Sequence, residues 1–179
     1  PLGVISNALD AFFKYLNYET KEPLKANVAT KDEFGVMAAL INENISKVEA
    51  SNAAENNFIK EANAFVDKIK AGDFTATLDA HTSNPALNQL KSTFAQLQAA
   101  LKDAIAENSN EVIRLLESFK AQDFTKRLDD SGKMAAGINS LGEEIANMLN
   151  INLEQAKLLE EKAGILAESM KELTNGANV

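Results

Sequence analysis

The chain has 179 residues, of which 45% are hydrophobic, 6% are aromatic and 25% are charged. It contains no Cys, which excludes disulfides and thiol chemistry, and its formal net charge of −8 leaves no basic stripe for nucleic acid. No stretch reaches the roughly 18 consecutive apolar residues of a membrane span. The frequent Ala, Leu, Glu and Lys favour helices over strands.

The first predicted helix covers about residues 1–17. Its apolar residues recur at steps of three and four, at Leu2, Ile5, Leu9, Phe12 and Leu16. Pro1 suits the first turn of a helix, where its missing N–H would have no partner. The stretch "NYETKEPLKANVATK" then breaks the period, and Pro23 predicts an extended connector.

The second predicted helix begins at "TKDEFG". Thr30 is the predicted N-cap because Glu33 follows at the capping-box spacing, and Asp32 and Glu33 suit the positive end of a helix. The apolar positions that follow are Phe34, Met37, Ile41, Ile45, Val48, Phe58, Ala62, Phe65 and Ile69. The polar stretch 49–57 predicts a joint between two packing units within one continuous helix.

Two further long helices are predicted. Gly72 ends the second helix, and a third begins near Asn84–Pro85 and continues past a polar patch at 106–110 to Phe119. The apolar positions of the third helix include Leu87, Leu90, Phe94, Leu97 and Leu101. The fourth runs from about 134 to 174 with the period of a coiled coil, interrupted near 150–155. Its apolar positions include Met134, Ile138, Leu141, Ile145, Met148, Leu159, Leu166 and Leu173.

One phrase occurs twice between these helices, as "KAGDFTATLD" at 70–79 and "KAQDFTKRLD" at 120–129. A repeat of about fifty residues indicates an array of helix–connector–helix units. Each unit is too small to stand alone, so two copies are expected to form a parallel four-helix bundle. The apolar connector residues predicted to pack against the bundle are Phe74, Leu78, Phe124 and Leu128. Asp73 and Asp123 are expected at the turns, where their side chains satisfy backbone donors.

The pattern resembles the HAMP domain, a signal-relay module of bacterial chemoreceptors and sensor kinases. The resemblance rests on Pro1, on "KDEFG" (31–35) followed by "VMAALINENI", and on "GDF" (72–74) with Leu78. It implies an all-α fold of stacked parallel four-helix bundles in a homodimer, ending in a coiled coil. The positions that carry the HAMP signature and packing by this resemblance are Pro1, Leu16, Asp32, Glu33, Gly35, Met37, Ile41, Gly72, Phe74, Leu78, Leu90, Phe94, Phe124, Leu128, Met134 and Ile138.

Three such units are expected, at 1–49, 53–104 and 105–150. The second has "SNPALN" in place of "DEFG", and the third has Gln122 in place of Gly72 and a shorter connector, so both are expected to diverge in packing. Residues 151–179 resemble the start of the signalling and adaptation helix of a methyl-accepting chemotaxis protein. That resemblance makes Glu160 and Glu161 a candidate adaptation site.

The remaining noticeable side chains are interpreted as ordinary surface or core residues. His81 has no second His or Cys to share a metal and is read as a surface residue. The Phe residues at helical spacing are read as core, and acidic pairs as solvated faces. The sequence therefore predicts no catalytic residue, no metal and no cofactor.

The interpretation is a HAMP array from a bacterial chemoreceptor, and not an enzyme. Its partners would be a second copy of the chain and, through the tip of a longer receptor, a histidine kinase and its coupling protein, with no nucleic acid. The chain reads as the cytoplasmic portion of a longer inner-membrane receptor. The alternatives are a relay segment of a sensor histidine kinase or nucleotide cyclase, or a structural coiled-coil spacer.

Overall fold

The computed structural model describes residues 1–176, and these residues form helices and connectors without a β-strand. The helices are α1 (Leu2–Leu16), α2 (Glu33–Lys70), α3 (Pro85–Ala104), α4 (Ser109–Lys120) and α5 (Lys133–Gly176). The predicted all-α fold class is confirmed.

Helix α2 is continuous over 38 residues, as the unbroken apolar pattern predicts. It buries two different faces along its length. Ala38 and Ile45 are buried in its first half, and Phe58, Ala62 and Phe65 in its second half. The polar stretch 49–57 is the part of α2 where the buried face changes, and the helix passes through it because nothing there competes for its backbone hydrogen bonds.

The prediction of one helix from 84 to 119 is wrong, and residues 1–176 form five helices where four were expected. The backbone leaves the helix after Ala104 and forms an isolated antiparallel bridge between Asn108 and Asp73. Helix α4 then starts anew with Asn108 as its N-cap, whose side chain accepts a hydrogen bond from the Asn110 N–H. Asn108 and Glu111 have the spacing of a capping box, so the sequence itself contains a signal for the start of α4.

The predicted N-cap of α2 is also wrong. Helix α2 begins at Glu33, and the Asp32 carboxylate accepts from the N–H groups of Phe34 and Gly35, each at 3.2 Å. The Thr30 hydroxyl donates to the same Asp32 oxygen. Asp32 takes the cap because a carboxylate at the residue just before the helix reaches these first free N–H groups directly.

The chain divides into two compact units. The first comprises 1–67 and 77–95, and the second comprises 68–76 and 96–179, of which the structure describes residues up to 176. Helices α2 and α3 contribute to both units.

The helices of the first unit run parallel in pairs. Ala8 of α1 and Ala38 of α2 share one buried cluster, and further along both helices the Asn52 amide donates to the Tyr15 hydroxyl at 2.9 Å. For α2 and α3, Asn84 bonds to Glu55, and the rings of Phe65 and Phe94 stack with centroids 5.6 Å apart. Contacts that advance in the same direction along both helices require parallel axes.

The second unit contains a third parallel pair, α4 and the first part of α5. Val112 and Ala135 share a buried cluster, and one heptad further along each helix the Phe119 ring lies against Gly142. Each connector therefore runs back along its helix pair before the next helix begins.

Beyond this pair, α5 extends alone. Every described residue of the stretch 147–175 is exposed. The large apolar side chains among them are Met148, Leu149, Ile151, Leu153, Leu158, Leu159, Ile165, Leu166, Met170 and Leu173. Among the described residues, no helix combines the length and apolarity that crossing a bilayer requires.

Candidate functional site: connectors and helix ends

Three helix–connector–helix repeats recur along the chain. Repeat 1 joins α1 to the first half of α2 through connector 17–32, and repeat 2 joins the second half of α2 to α3 through connector 71–84. Repeat 3 joins α4 to α5 through connector 121–132. Each connector is shorter than the one before it. The features that recur from repeat to repeat are these connectors and the helix ends that they join.

The first helix of every repeat ends in the same way. Tyr18, Gly72 and Gln122 have φ angles of 62°, 83° and 66°, the left-handed region that terminates helices. In each case the N–H of this residue and the next one bond back to the last turn, which is the Schellman motif. Gly72 was predicted to end α2, and it does. The other two positions use side-chain-bearing residues in a conformation that glycine adopts most easily.

The repeated "DFT" phrase forms the same turn twice. The Asp73 carboxylate accepts from the Thr75 N–H at 3.0 Å and the Thr75 hydroxyl at 2.6 Å. Asp123 accepts from the Thr125 N–H at 3.1 Å and the hydroxyl at 2.6 Å. These bonds, the hydroxyl bond first, hold the pKa of both aspartates below the ordinary value. The expectation that both aspartates satisfy backbone donors at the turns is confirmed.

The apolar residues of the connectors face inward, to different degrees. Phe74 and Leu78 are buried in repeat 2, whereas Phe124 and Leu128 are half-buried in repeat 3. Phe124 packs against Phe119, with ring centroids 5.4 Å apart. Both connectors are thus anchored by apolar contacts, and the shorter one is anchored less deeply.

A single asparagine clamps the connector in repeats 1 and 3. Asn42 of α2 accepts from the Ala26 N–H at 2.8 Å and donates to the Ala26 carbonyl at 2.9 Å. Asn139 of α5 makes the same pair of bonds to Leu128, both at 2.8 Å. Each clamp satisfies both backbone groups of one inward-facing connector residue, and fixes the connector to the second helix of its repeat.

Repeat 2 divides this clamp between two side chains. The Ala80 N–H donates to the Glu61 carboxylate at 2.7 Å, and the Ala80 carbonyl accepts from the Lys91 ammonium at 3.0 Å. Glu61 belongs to α2 and Lys91 belongs to α3. The middle of this connector is therefore bonded to both helices of its repeat.

Two glycines let the backbone approach the start of a second helix closely. A Cβ on Gly35 would overlap the Thr30 carbonyl, and a Cβ on Gly132 would lie 2.6 Å from the Ile105 carbonyl carbon. Either side chain would displace backbone atoms, so both positions require glycine.

Sequence reasoning did not single out the clamp residues, although the sequence contains a signal for them. "DEFGVMAALIN" (32–42) and "DDSGKMAAGIN" (129–139) align without a gap and are identical at seven of eleven positions. The shared residues include the close-approach glycine, the buried Ala38 or Ala135, and the clamping asparagine.

The predicted signature residues lie in different environments. Ile41, Phe94 and Ile138 are half-buried. Leu16, Met37, Leu90 and Met134 are exposed in the single chain, and Ala38 and Ala135 take the buried positions beside the two methionines.

Pro1 lies directly before α1 and is exposed. Glu160 and Glu161 lie on the exposed part of α5, and His81 is exposed on connector 71–84.

One open groove of about 450 Å³ lies beside the end of α1. Tyr15, Asn52 and Glu55 are among its lining residues, but Tyr15 bonds to Asn52 and Glu55 accepts from Asn84. Within residues 1–176 no group of His, Asp and Glu is arranged to hold a metal ion. Tyr15, Asn52 and Glu55 are therefore all engaged in hydrogen bonds within the chain.

The chain matches no protein-family model, and neither a curated protein nor a solved structure matches it.

Proposed function

We propose that the chain is a HAMP-type signal relay from a bacterial methyl-accepting chemotaxis protein and acts as a parallel homodimer. It would pass a conformational change from an input domain to a tip that controls a histidine kinase, within an inner-membrane receptor whose relay lies in the cytoplasm. It would perform no catalysis itself. The observation that carries the proposal is the threefold recurrence of a parallel helix pair with a clamped connector.

The uncovered apolar surface supports a second copy as the partner. Leu16, Met37, Leu90 and Met134 are between 39% and 48% exposed, and α5 is exposed on all sides beyond residue 146. Most helical stability in proteins comes from packing of an apolar face, and this part of α5 packs on no other described element of the chain. A parallel partner would cover the heptad positions of α5, such as Leu159, Leu166 and Leu173, in register.

The clamps suggest how a repeat could take two packings. In repeats 1 and 3 the asparagine ties the connector to the second helix, and both bonds of each clamp run to one connector residue, Ala26 or Leu128. The first helix could therefore rotate without breaking a clamp. In repeat 2 the same motion would pull Ala80 from Glu61 or from Lys91, so this repeat would resist it.

The test uses the absence of Cys from the chain. Leu166→Cys lies on the predicted dimer seam, and Glu168→Cys lies two residues on, about 200° around the helix. We expect a particle of two chains that oxidises to a covalent dimer with Leu166→Cys and not with Glu168→Cys. A single-chain particle at micromolar concentration, or equal cross-linking of the two variants, would contradict the proposal.

A further inference from the structure

The break between α3 and α4 is the centre of a hydrogen-bonded junction. We call residues 105–110 the junction segment. Within the second unit it contacts the end of α2 on one side and the start of α5 on the other. These two helix ends are far apart in the sequence.

On the first side, the junction segment satisfies carbonyls beyond the end of α2. The Ser109 N–H donates to the Gly72 carbonyl at 2.9 Å, and the Asn110 amide donates to the Ala71 carbonyl at 2.7 Å. The Phe74 N–H donates to the Glu107 carbonyl at 2.9 Å. The chain directly after Lys70, the last residue of α2, is therefore bonded to the junction segment at three residues, Ala71, Gly72 and Phe74.

On the second side, the junction segment binds the start of α5. The Ile105 carbonyl accepts from the Ala135 N–H at 3.1 Å, and Ala135 is the third residue of α5, whose N–H has no partner within the helix. The Glu107 N–H donates to the Asp130 carboxylate at 2.6 Å. The other oxygen of Asp130 accepts from the Gly132 N–H at 2.8 Å.

Glu107 therefore uses both of its backbone groups, one on each side. Its carbonyl accepts from Phe74 and its N–H donates to Asp130. Gly72 and Gly132 bring both partners close, because a Cβ on Gly72 would meet the Ser109 side chain and one on Gly132 would lie 2.7 Å from the Ala106 nitrogen. A displacement of either helix end must move the junction segment or break these bonds.

We propose that the junction segment, which includes the first two residues of α4, couples the end of α2 directly to the start of α5, by a route that bypasses the rest of α4 and connector 121–132. The polar patch at 106–110 would then transmit a displacement of one of these helix ends to the other. This inference goes beyond the relay proposal and does not depend on the dimer, since all of its contacts lie within one chain.

Amide hydrogen exchange of the full chain tests the coupling in both directions. Asp130→Ala removes contacts to Glu107 and Gly132 only, and we expect the untouched amides of Phe74 and Ser109 to exchange about three- to tenfold faster. Asn110→Ala removes the side-chain contacts to Ala71 and Asn108, and we expect the Ala135 amide to exchange faster by a similar factor, because coupling free energies are reciprocal.

Two controls make the outcome decisive. Asp129→Ala removes the neighbouring exposed carboxylate and should leave Phe74 and Ser109 unchanged, while Asp130→Asn keeps one of the two acceptor oxygens and should accelerate exchange less than Asp130→Ala. A change confined to Glu107 and Gly132 in Asp130→Ala, or to the α2 side in Asn110→Ala, would overturn the proposal. An equal acceleration at Ile45, buried in the first unit, would indicate global unfolding and would overturn it too. The mass of the particle, measured in parallel, reports on the dimer separately.

Discussion

Gln122 adopts the backbone conformation of Gly72. Both residues end the first helix of a repeat in the left-handed region, with φ angles of 66° and 83°. A Cβ makes this region unfavourable by about 1–2 kcal/mol, and glycine avoids that cost. Two equivalent turns of one chain thus differ in strain at a single position.

The first prediction follows from that difference. Gln122→Gly should stabilise the protein by about 0.5–1 kcal/mol, because relief of strain exceeds the added freedom of the unfolded chain. Urea unfolding followed by circular dichroism would show a higher midpoint. The control is Ala121→Gly, one residue earlier, where φ is −80° and the substitution should destabilise. A lower midpoint for Gln122→Gly would contradict the assigned strain.

The second prediction concerns the asparagine clamp of repeat 3. Asn139→Ala should destabilise the protein by about 1–3 kcal/mol, because the Leu128 N–H and carbonyl both lose their partner. Asn139→Asp keeps only the acceptor, so its free energy of unfolding should lie between those of the parent protein and Asn139→Ala. The matched control is Asn147→Ala, at an exposed position of the same helix, which should change the urea midpoint little. Equal effects of the two alanine variants would count against the clamp.

The third prediction compares two glycines of α5. Gly137 faces open space, so Gly137→Ala should stabilise the helix by about 0.5–1 kcal/mol. Gly142 lies under the Phe119 ring, where an added Cβ would approach ring atom Cε2 to 3.1 Å. Gly142→Ala should therefore destabilise the protein despite its better helix propensity. Thermal melts of the two variants should shift in opposite directions, and shifts of the same sign would refute the packing of Phe119 on α5.

The fourth prediction concerns pH. The pKa of Asp73 and of Asp123 is lowered in the folded chain, first by the threonine hydroxyl and then by the backbone N–H. A depressed pKa contributes stability that is present above the unfolded value of about 3.9 and lost as pH falls through the lower folded value. Thr125→Val removes the hydroxyl at nearly constant shape. It should lower the urea midpoint near neutral pH and converge with the parent protein once the pH falls below the lowered pKa of Asp123. A difference that stays constant down to acid pH would exclude a titrating cause.

The features predictable from the sequence are those that local chemistry decides. The continuity of α2 follows from an apolar pattern without Pro, and the aspartate turns follow from side chains that bond two residues ahead. The clamps were not predicted, because a half-buried asparagine has the same local signal as an exposed one until the two copies of "MAA-x-IN" are aligned.

Two similar polar stretches show where local chemistry is insufficient. Residues 49–57 stay helical, because Asn52 and Glu55 use only their side chains to contact Tyr15 and Asn84. Residues 105–108 leave the helix, because their backbone groups bond to partners more than twenty residues away. Composition does not distinguish the two cases, since the deciding partners lie on other elements.

The change of buried face along α2 makes the length of the polar stretch itself a structural parameter. Each residue turns a helix by about 100°, so one residue inserted between Ile45 and Phe58 would turn the whole second face by that angle relative to the first. Insertions or deletions there should be acceptable only in sets that complete whole turns, such as seven or eleven residues. The number of residues in this stretch, and not only their polarity, therefore sets the angle between the two buried faces of α2.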